Sequence, residues 1–495
     1  MFLSELINHV YAVKVTGDVL TKPVTGIFHN SREVVKDSVF VAIRGLQTDG
    51  HKYISDALSK GAIAVVVEDK DSIPDEMFRR SGQAKIIVSD SRFALAQLSD
   101  AYYGNPSRRL KLIGVTGTKG KTTSTFMIKS VLEQAGIKTG LIGTIQNMIG
   151  SEVVPTEFTT PEANELNRLI SRMADAGCEA CVMEVSSHSL FMKRVALLDF
   201  DIAVFTNLAP EHLDFHKTMD EYAAAKKILF DSLKADARAI VNCDDAYGMF
   251  MVKDCKAGVV TYGTGANADY RIKDIDISFT GTEFTLTTAD DSVKISTALK
   301  GEFNAFNSTV AYLSGVNSGL ESSMVRGAIK NADQVPGRFE ILTNGKKKVI
   351  IDYAHNPSSL EQVLKSIRRI SPDENLVTVF GCGGNRDTFK RPVMGRIAAE
   401  LSNHVIVTSD NPRYEDPMAI ISDILKGIST GNYEIEPERA AAVKKAILES
   451  PDGSVILLAG KGHEDYLIIN GVKSHLSDRE LAAEYLGVTE NAENQ

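Results

Sequence analysis

The chain has 495 residues, 43% of them hydrophobic and 24% charged, a balance that excludes a disordered or fibrous protein and is too long for one hydrophobic core, so roughly two to four domains are expected. A formal net charge of -9 argues against general affinity for nucleic acid, whose phosphate backbone is bound by clustered Lys and Arg. Any anionic ligand must therefore be caught locally.

The opening residues MFLSELINHVYAVKV lack the charged start, continuous apolar stretch and small-residue cleavage site of a signal peptide, and no segment approaches the ~20 apolar residues of a membrane span. Five cysteines, an odd number scattered through a long chain, fit reduced thiols better than a disulfide framework. The expectation is a cytoplasmic protein with no membrane insertion and no nucleic-acid partner.

In chain order, DSVFVAIRG, HKYISDALSKG and AIAVVVE predict strand, helix and strand, and YYGNPSRRLK, with its Gly, Pro and basic cluster, predicts a linker. LIGV opens a second block with strands EACVMEV, DIAVFTN and RAIVN, and a third block starts near VPGRFE with strands KVIIDYA, LVTVFG, HVIVTSD and SVILLAG. Strands alternating with amphipathic helical stretches predict the α/β class with parallel sheets, divided here into 1–103, 104–335 and 336–495. VTENAENQ reads as a polar tail.

GVTGTKGKTTST follows a strand, and TTSTFMIKSVLEQAG continues as a helix closed by Gly136. This predicts a phosphate-binding loop over Gly117, Thr118, Lys119, Gly120, Lys121, Thr122 and Thr123. The glycines let backbone N–H groups turn toward phosphate oxygens at a helix N-terminus, Lys121 brings charge to the terminal phosphates, and Thr122 can ligate magnesium. The general pattern G-x-x-x-x-G-K-[ST] would place Gly at position 115, where this chain has Val115, and the spacing is instead G-x-x-G-x-x-G-K-T.

Glu184 ends a strand, where a doubly wound sheet has its ligand crevice and a carboxylate could hold Mg2+; taken alone, an ordinary strand-end acid is the better reading. VFTNLAPEHLDFH is another strand followed by a polar cluster containing His212 and Asp214. Cys178 and Cys181 have C-x-x-C spacing, but with no second pair and with side chains expected on opposite faces of a strand, metal or redox chemistry is not expected.

GTKGKTT, TTPEANEL, MEVSSHSL, TNLAPEHLDFH, YAAAKKILF, GEFNAFN, VPGRFE, DYAHNP, GGNRDTFKRP, DNPR and AGKGHE, in this order and over nearly the whole chain, resemble the Mur ligases. Single motifs are shared across that family, whereas the ensemble is similar to the group that adds the third amino acid, the UDP-N-acetylmuramoyl-tripeptide synthetases. The resemblance implies a three-domain architecture: a uridine-nucleotide domain over 1–103, a central ATP-binding ligase domain over 104–335 built on a P-loop ATPase-like parallel sheet, and a C-terminal Rossmann-like amino-acid-binding domain over 336–495. It implies that ATP converts the D-glutamyl carboxylate of UDP-N-acetylmuramoyl-L-alanyl-D-glutamate into an acyl phosphate that the incoming amine attacks.

Lys226, which composition alone would make a solvated helical lysine, matches the family's carbamylated lysine; it is expected on the same connecting helix as the His212 cluster, and carbamylation needs its neutral amine. By the same resemblance Thr122, Glu184, His212 and carbamylated Lys226 hold Mg2+, with Lys121, Glu184, His212 and Lys226 as the catalytic set. Asn307, Arg338 and Asp352 contact ATP, while Ser31, Leu46, Gln47, Thr48, Thr159, Thr160, Ser186 and Arg194 match contacts to the UDP-muramoyl-dipeptide, with Met192 where some members have Gln.

Asp410, Asn411, Pro412 and Arg413 form the DNPR sequence that accompanies meso-diaminopimelate in the family, whereas lysine-adding members lack the Arg. A guanidinium fork can grip the extra carboxylate of diaminopimelate and would repel the ammonium end of lysine. Arg386 is expected to assist, and Gly460 and Glu464 to receive the ammonium end. A surface Arg413 paired with Glu415 or Asp416 is the plain alternative. As whole-protein readings, an L-lysine-adding Mur ligase and, more remotely, folylpolyglutamate synthetase stay open; a nucleotide-gated switch would hydrolyse ATP without amino acid. The chain is expected to be a monomer.

Overall fold

The computed structural model describes residues 1–17, 21–45, 48–79 and 81–488. Contacts divide the chain into two units, Met1–Ala268 with Leu313–Leu320, and Asp269–Tyr312 with Glu321–Gln495. Among the described residues no helix is long and apolar enough to cross a membrane.

The first unit holds two sheets. A five-stranded sheet is ordered Ala12–Gly17, Ala84–Val88, Ala64–Val67, Val39–Val41, Ile27–Phe28, with Ala12–Gly17 antiparallel and the others parallel. Ala64–Val67 is buried at every position because helices cover both faces, which is why AIAVVVE reads as a continuous apolar run. In the linker read at YYGNPSRRLK, Asn105 adopts a left-handed φ of 53° and Pro106–Arg109 forms a short 3-10 turn.

Beyond it, the strands run in the order Gly258–Gly263, Arg238–Asn242, Ile202–Phe205, Lys111–Thr116, Ala180–Glu184, Thr139–Ile142, all parallel, and continue into the antiparallel Asn147–Ile149 and Glu152–Val154. The chain leaves Lys111–Thr116 toward one side and later returns with Ile202–Phe205 on the other. The order therefore reverses at Lys111–Thr116, and a ligand crevice is expected at the C-terminal ends of these strands.

The first two sequence blocks are fastened together inside this unit. Asn164 donates to the Ile27 carbonyl at 3.2 Å and lies 3.1 Å from Nδ1 of His29, Lys193 pairs with Asp90, and Ala163 joins the apolar core of the five-stranded sheet. Cys178 and Cys181 are both buried in the core on one face of the parallel sheet, not on opposite faces as expected. The reason is local: the strand begins at Ala180, so two-residue alternation does not extend back to Cys178.

The second unit carries a six-stranded sheet ordered Glu340–Thr343, Lys348–Asp352, Val455–Ala459, Leu376–Phe380, His404–Val407, Tyr433–Ile435, parallel except for its first strand. Val455, Leu457 and Ala459 enter the core on one face, Ile456 and Leu458 the core on the other, as strand periodicity requires. The same unit contains the antiparallel meander Tyr270–Ser278, Gly281–Thr287, Ser292–Thr297, whose polar-rich alternation the sequence analysis did not resolve into strands.

Behind the six-stranded sheet, Arg439 and Asp478 form a fully buried ion pair, Nε to Oδ1 at 2.8 Å and Nη2 to Oδ2 at 2.6 Å. Arg439 also donates to the carbonyls of Ala459 at 3.0 Å and Ser409 at 3.3 Å, tying together the C-terminal ends of two strands. Asp478→Ala leaves a buried guanidinium without its carboxylate and is expected to cost about 3–5 kcal/mol of stability, read as a lower urea midpoint. The Arg439→Met/Asp478→Leu pair should recover a large part of it; equal midpoints for Asp478→Ala and the unmutated chain would show that the pair does not brace this sheet.

Candidate functional site

Strand Lys111–Thr116 ends in Gly117, whose φ of 148° and tight packing admit no side chain, since a Cβ there would lie 1.9 Å from Oγ1 of Thr206. Gly120, at φ 83°, caps helix Lys121–Gln134 and turns the chain so that the loop N–H groups and the helix N-terminus face one way. Nζ of Lys121 folds back over the loop onto the carbonyls of Gly117 and Thr118, both at 2.9 Å. Lys119 N–H and Thr118 are held by the neighbouring strand end, through Asn207 Oδ1 at 3.0 Å and the Ala209 carbonyl at 3.3 Å.

Glu184 is buried at the end of the adjacent strand. Its carboxylate accepts from the Thr122 hydroxyl at 3.0 Å, the Thr144 N–H at 2.9 Å and the Thr144 hydroxyl at 3.1 Å. The Thr122 hydroxyl donates its proton to Glu184, and its oxygen is of the kind that can also ligate a cation. A Cβ on Gly143 would come within 2.7 Å of Glu184 Oε1, so glycine is needed there too.

Lys226 is 1% exposed, and its amine donates to the Gly117 carbonyl at 2.9 Å and sits 4.6 Å from the centre of the Tyr222 ring. Burial first, and then the nearby Lys121 charge, hold its pKa well below the usual lysine value, with Glu211 opposing. Tyr222 lies one helical turn before Lys226 and shares a 3.2 Å hydrogen bond with Thr118. The expected common helix for His212 and Lys226 is not found. His212 precedes the short helix Leu213–His216 with a left-handed φ of 58°, Lys217 is also left-handed, and Thr218 caps a new helix, Met219–Asp231, that carries Lys226. The break puts the two residues on different elements that still meet around Tyr222, whose ring centre lies 6.2 Å from that of His212.

His212 is open to solvent on one edge and packs edge-to-face against His188 on another, ring centres 4.8 Å apart. Loss of solvation is the largest influence on its imidazole; Glu211 opposes it, His188, Lys121 and Lys226 add repulsion, and the pKa falls to about 4. The ring is therefore neutral near pH 7, the form that ligates metals. His216 is buried against Tyr222, 5.1 Å between ring centres, with Nε2 2.9 Å from Oγ of Ser187; burial, His188 and Lys226 bring it to about 4 as well. His188, His216, Tyr222 and Thr144 belong to this site but were not singled out from sequence. The spacing of Tyr222 four residues before Lys226 was the one signal available.

Beside Glu184 lies the expected dipeptide cluster. Thr160 donates to the Glu184 carbonyl at 2.8 Å and accepts from Ser186 N–H at 3.2 Å, Thr159 meets Thr144 at 3.0 Å, and Arg194 donates to the Thr160 carbonyl at 3.0 Å while pairing with Glu162 at 2.7 Å. Met192 places its sulfur 3.6 Å from Arg194. Ser31 and Thr48 follow the adjacent parallel strands Ile27–Phe28 and Val39–Val41; Ser31 is buried, and Thr48 meets Tyr53 at 3.3 Å. Leu46 and Gln47 lie outside the described residues. Among the described residues no three His, Cys, Asp or Glu side chains are grouped to hold a metal.

In the second unit, Asp352 has both oxygens taken by backbone N–H groups, of Phe339 and Ala354, each at 2.8 Å. Burial raises its pKa against the pull of Arg338 and these N–H groups, and the carboxylate fixes the VPGRFE turn. Arg338 stacks 4.5 Å over Tyr353, and the buried Asn307 donates to Asn304 at 2.8 Å. At the C-terminal end of the six-stranded sheet, Asn411 donates to Glu464 at 2.9 Å and accepts from Ile468 N–H at 3.0 Å, Tyr353 donates to the other Glu464 oxygen at 3.2 Å, and Asp410 accepts from Asn411 N–H at 2.7 Å. A Cβ on Gly460, at φ 112°, would lie 3.0 Å from Asp410.

Arg413, at φ 56°, donates from Nη1 to the Gly384 carbonyl at 2.8 Å, and Arg386 is exposed on the loop that contains Gly384. Pro412 packs against that loop, its carbonyl 2.0 Å from where a Gly384 Cβ would be. Among the described residues Arg413 forms no ion pair. Glu415 pairs with Arg391, and Asp416 caps the helix Pro417–Leu425 through Met418 N–H, so the surface pairing considered for Arg413 is not what forms.

Comparison with known proteins follows the same geography. The sequence profile of the Mur ligase family catalytic domain matches residues 23–103, that of the Mur ligase middle domain 115–315, and that of the Mur ligase glutamate ligase domain 337–462. The chain is 44% identical over 466 residues to a UDP-N-acetylmuramoyl-L-alanyl-D-glutamate--2,6-diaminopimelate ligase of Clostridium tetani, covering 94% of this chain and 95% of that one. It is 43% identical to the protein of that name from Chlorobaculum tepidum, covering 94% and 92%. A solved structure of such a ligase superposes with a TM-score of 0.70 at 31% identity, covering 98% of this chain and 99% of the other. The phosphate loop and the buried glutamate beside it thus fall within the matched middle domain, and the loops of Gly384 and Arg413 within the matched glutamate ligase domain, and the chain belongs to the Mur ligase family.

Proposed function

We propose that this chain is the ATP-dependent ligase that joins meso-diaminopimelate to UDP-N-acetylmuramoyl-L-alanyl-D-glutamate, a step of peptidoglycan precursor synthesis. The observation that carries the choice of amino acid is the Arg413 guanidinium, anchored by one carbonyl, engaged by no carboxylate among the described residues, and presented by the same strand-end loops as Glu464. Such a pair suits a ligand end bearing both a carboxylate and an ammonium group; lysine has only the ammonium. Asp410, Asn411, Pro412, Gly460 and Arg386 complete this reading of the diaminopimelate site.

Amide formation from a free carboxylate is uphill in water, so the D-glutamyl side-chain carboxylate must first accept the terminal phosphoryl group of ATP. Amine attack on the acyl phosphate then expels phosphate and leaves ADP. Bringing two anions together is the difficult step. The loop N–H groups, the helix N-terminus and Lys121 are the charges this chain would direct at the phosphates, with Gly117 to Thr123 forming the cradle and Asn307, Arg338 and Asp352 serving the nucleotide. Thr159, Thr160, Ser186 and Arg194 would hold the dipeptide end, and Ser31, Thr48, Leu46 and Gln47 the uridine end, within a first domain over 1–103. The central domain would span 104–335 and the amino-acid-binding domain 336–495.

The donor set fits a divalent cation. Thr122 is a hydroxyl ligand, Glu184 is a buried carboxylate, His212 is neutral, and burial lowers the pKa of the Lys226 amine, favouring the neutral form that takes up carbon dioxide. Mg2+ bound by Thr122, Glu184, His212 and a carbamate on Lys226 would offset the phosphate charge. We place the enzyme in the cytoplasm as a monomer, where ATP and both co-substrates are at hand.

Lys121→Ala should lower the rate of ADP release in the full reaction by roughly 10²–10³-fold, the size expected for removing one preorganised charge from a transition state; near-normal turnover would remove the phosphate-loop assignment. Lys226→Ala should be nearly inactive and partly restored by added short carboxylates such as acetate, and an unmodified Lys226 in the intact mass of active enzyme would end the carbamate reading. Arg413→Ala should lose on the order of 2–5 kcal/mol in kcat/KM with meso-diaminopimelate without making L-lysine a good substrate. Preference of the unmutated enzyme for L-lysine at equal concentration would overturn the amino-acid assignment while leaving the ligase intact.

A further inference from the structure

We propose that Glu415 and Arg391 are positioning residues for the diaminopimelate grip: together they lock the loop carrying Arg386 to the loop carrying Arg413 and keep the carboxylate two residues along the chain from quenching Arg413. The proposal rests on the reading of Arg413 and Arg386 given above.

Four hydrogen bonds join the two loops. Gly384 N–H donates to the Asn411 carbonyl at 2.9 Å, Tyr414 N–H to the Asn385 side chain at 3.2 Å, Arg413 Nη1 to the Gly384 carbonyl at 2.8 Å, and Asn385 N–H to Oε1 of Glu415. Asn385 and Arg413 are both in the left-handed region, φ 52° and 56°, which Asn tolerates but which for Arg persists only where its surroundings fix it. Gly384 must be glycine for this contact, because a Cβ would collide with Pro412 and approach Glu415 at 3.3 Å.

Glu415 is the only side chain in this set that touches both an N–H of the first loop and a cation behind it. Arg391, 2% exposed, grips it with Nη2 at 3.1 and 2.9 Å from its two oxygens and extends Nη1 to Asp423 at 3.0 Å. Arg391 lies in the first turn of the helix Lys390–Leu401, and Asp423 lies on the helix Pro417–Leu425, so the anchor is in regular structure. The Asn385 N–H, followed by Arg391, holds the Glu415 carboxyl below its usual range, so it stays charged at neutral pH. A carboxylate two residues from Arg413 would otherwise be its natural partner. With Glu415 committed to Arg391, the Arg413 fork is left for the ligand.

Kinetics on Glu415→Ala, Glu415→Gln and Arg391→Lys, with Arg413→Ala in parallel, tests this. For Glu415→Ala the KM for meso-diaminopimelate should rise about tenfold or more, while the KM values for ATP and the UDP-muramoyl-dipeptide stay within about twofold. Glu415→Gln, which keeps an acceptor for Asn385 N–H but not the ion pair, should fall between. The ratio of kcat/KM for meso-diaminopimelate over L-lysine, which lacks the distal carboxylate, should drop in the same order, a change that general loosening of the fold would not produce. If Glu415→Ala misfolds by circular dichroism, Glu415→Gln and Arg391→Lys carry the test. An unchanged meso-diaminopimelate KM, or equal rises for all three substrates, overturns the proposal. If Arg413→Ala loses discrimination while the Glu415 and Arg391 variants keep it, only the positioning role fails; if Arg413→Ala keeps discrimination, the reading of the grip itself fails.

Discussion

A lysine amine buried against the Gly117 carbonyl constrains the whole C-terminal end of the first unit's parallel sheet. The contact requires the phosphate loop to lie where Gly117 has no side chain, Tyr222 to line the cavity, and the helix Met219–Asp231 to begin afresh at Thr218. Water is excluded from the amine, so the charged form is disfavoured there, and the second positive charge of Lys121 pushes in the same direction. Burial in this place favours the neutral amine over the ammonium more than exposure to water would.

The surrounding side chains follow from the same arrangement. Thr118 binds Tyr222, Thr122 binds Glu184, and Glu184 is locked by Thr144, so the loop, two strand ends and the Lys226 helix form one hydrogen-bonded assembly. His212 and His216, both held neutral, complete an environment with lone pairs but few competing protons. In the second unit the acids that follow Arg413 in the chain are engaged elsewhere: Glu415 with Arg391 and Asp416 at a helix cap. The three-domain Mur ligase architecture places each of these tasks on the C-terminal ends of parallel strands, where loops can vary without disturbing the sheet.

The α/β class, the strands at LIGV, EACVMEV, DIAVFTN and SVILLAG, and the phosphate loop are legible in the residues alone, because buried parallel strands are written as apolar runs and a glycine-lysine-threonine turn before a helix has a local cause. DNPR and AGKGHE were legible as strand-end loops for the same reason. The rest depends on which surfaces meet in the folded chain. The break between His212 and Lys226, the burial that lowers the pKa of Lys226, and the shared core of Cys178 and Cys181 leave no periodic trace. Nor could spacing tell that Glu415 would turn from Arg413 to Arg391, since the choice between two nearby cations is made by the helices that bring Arg391 and Asp423 together behind the loop.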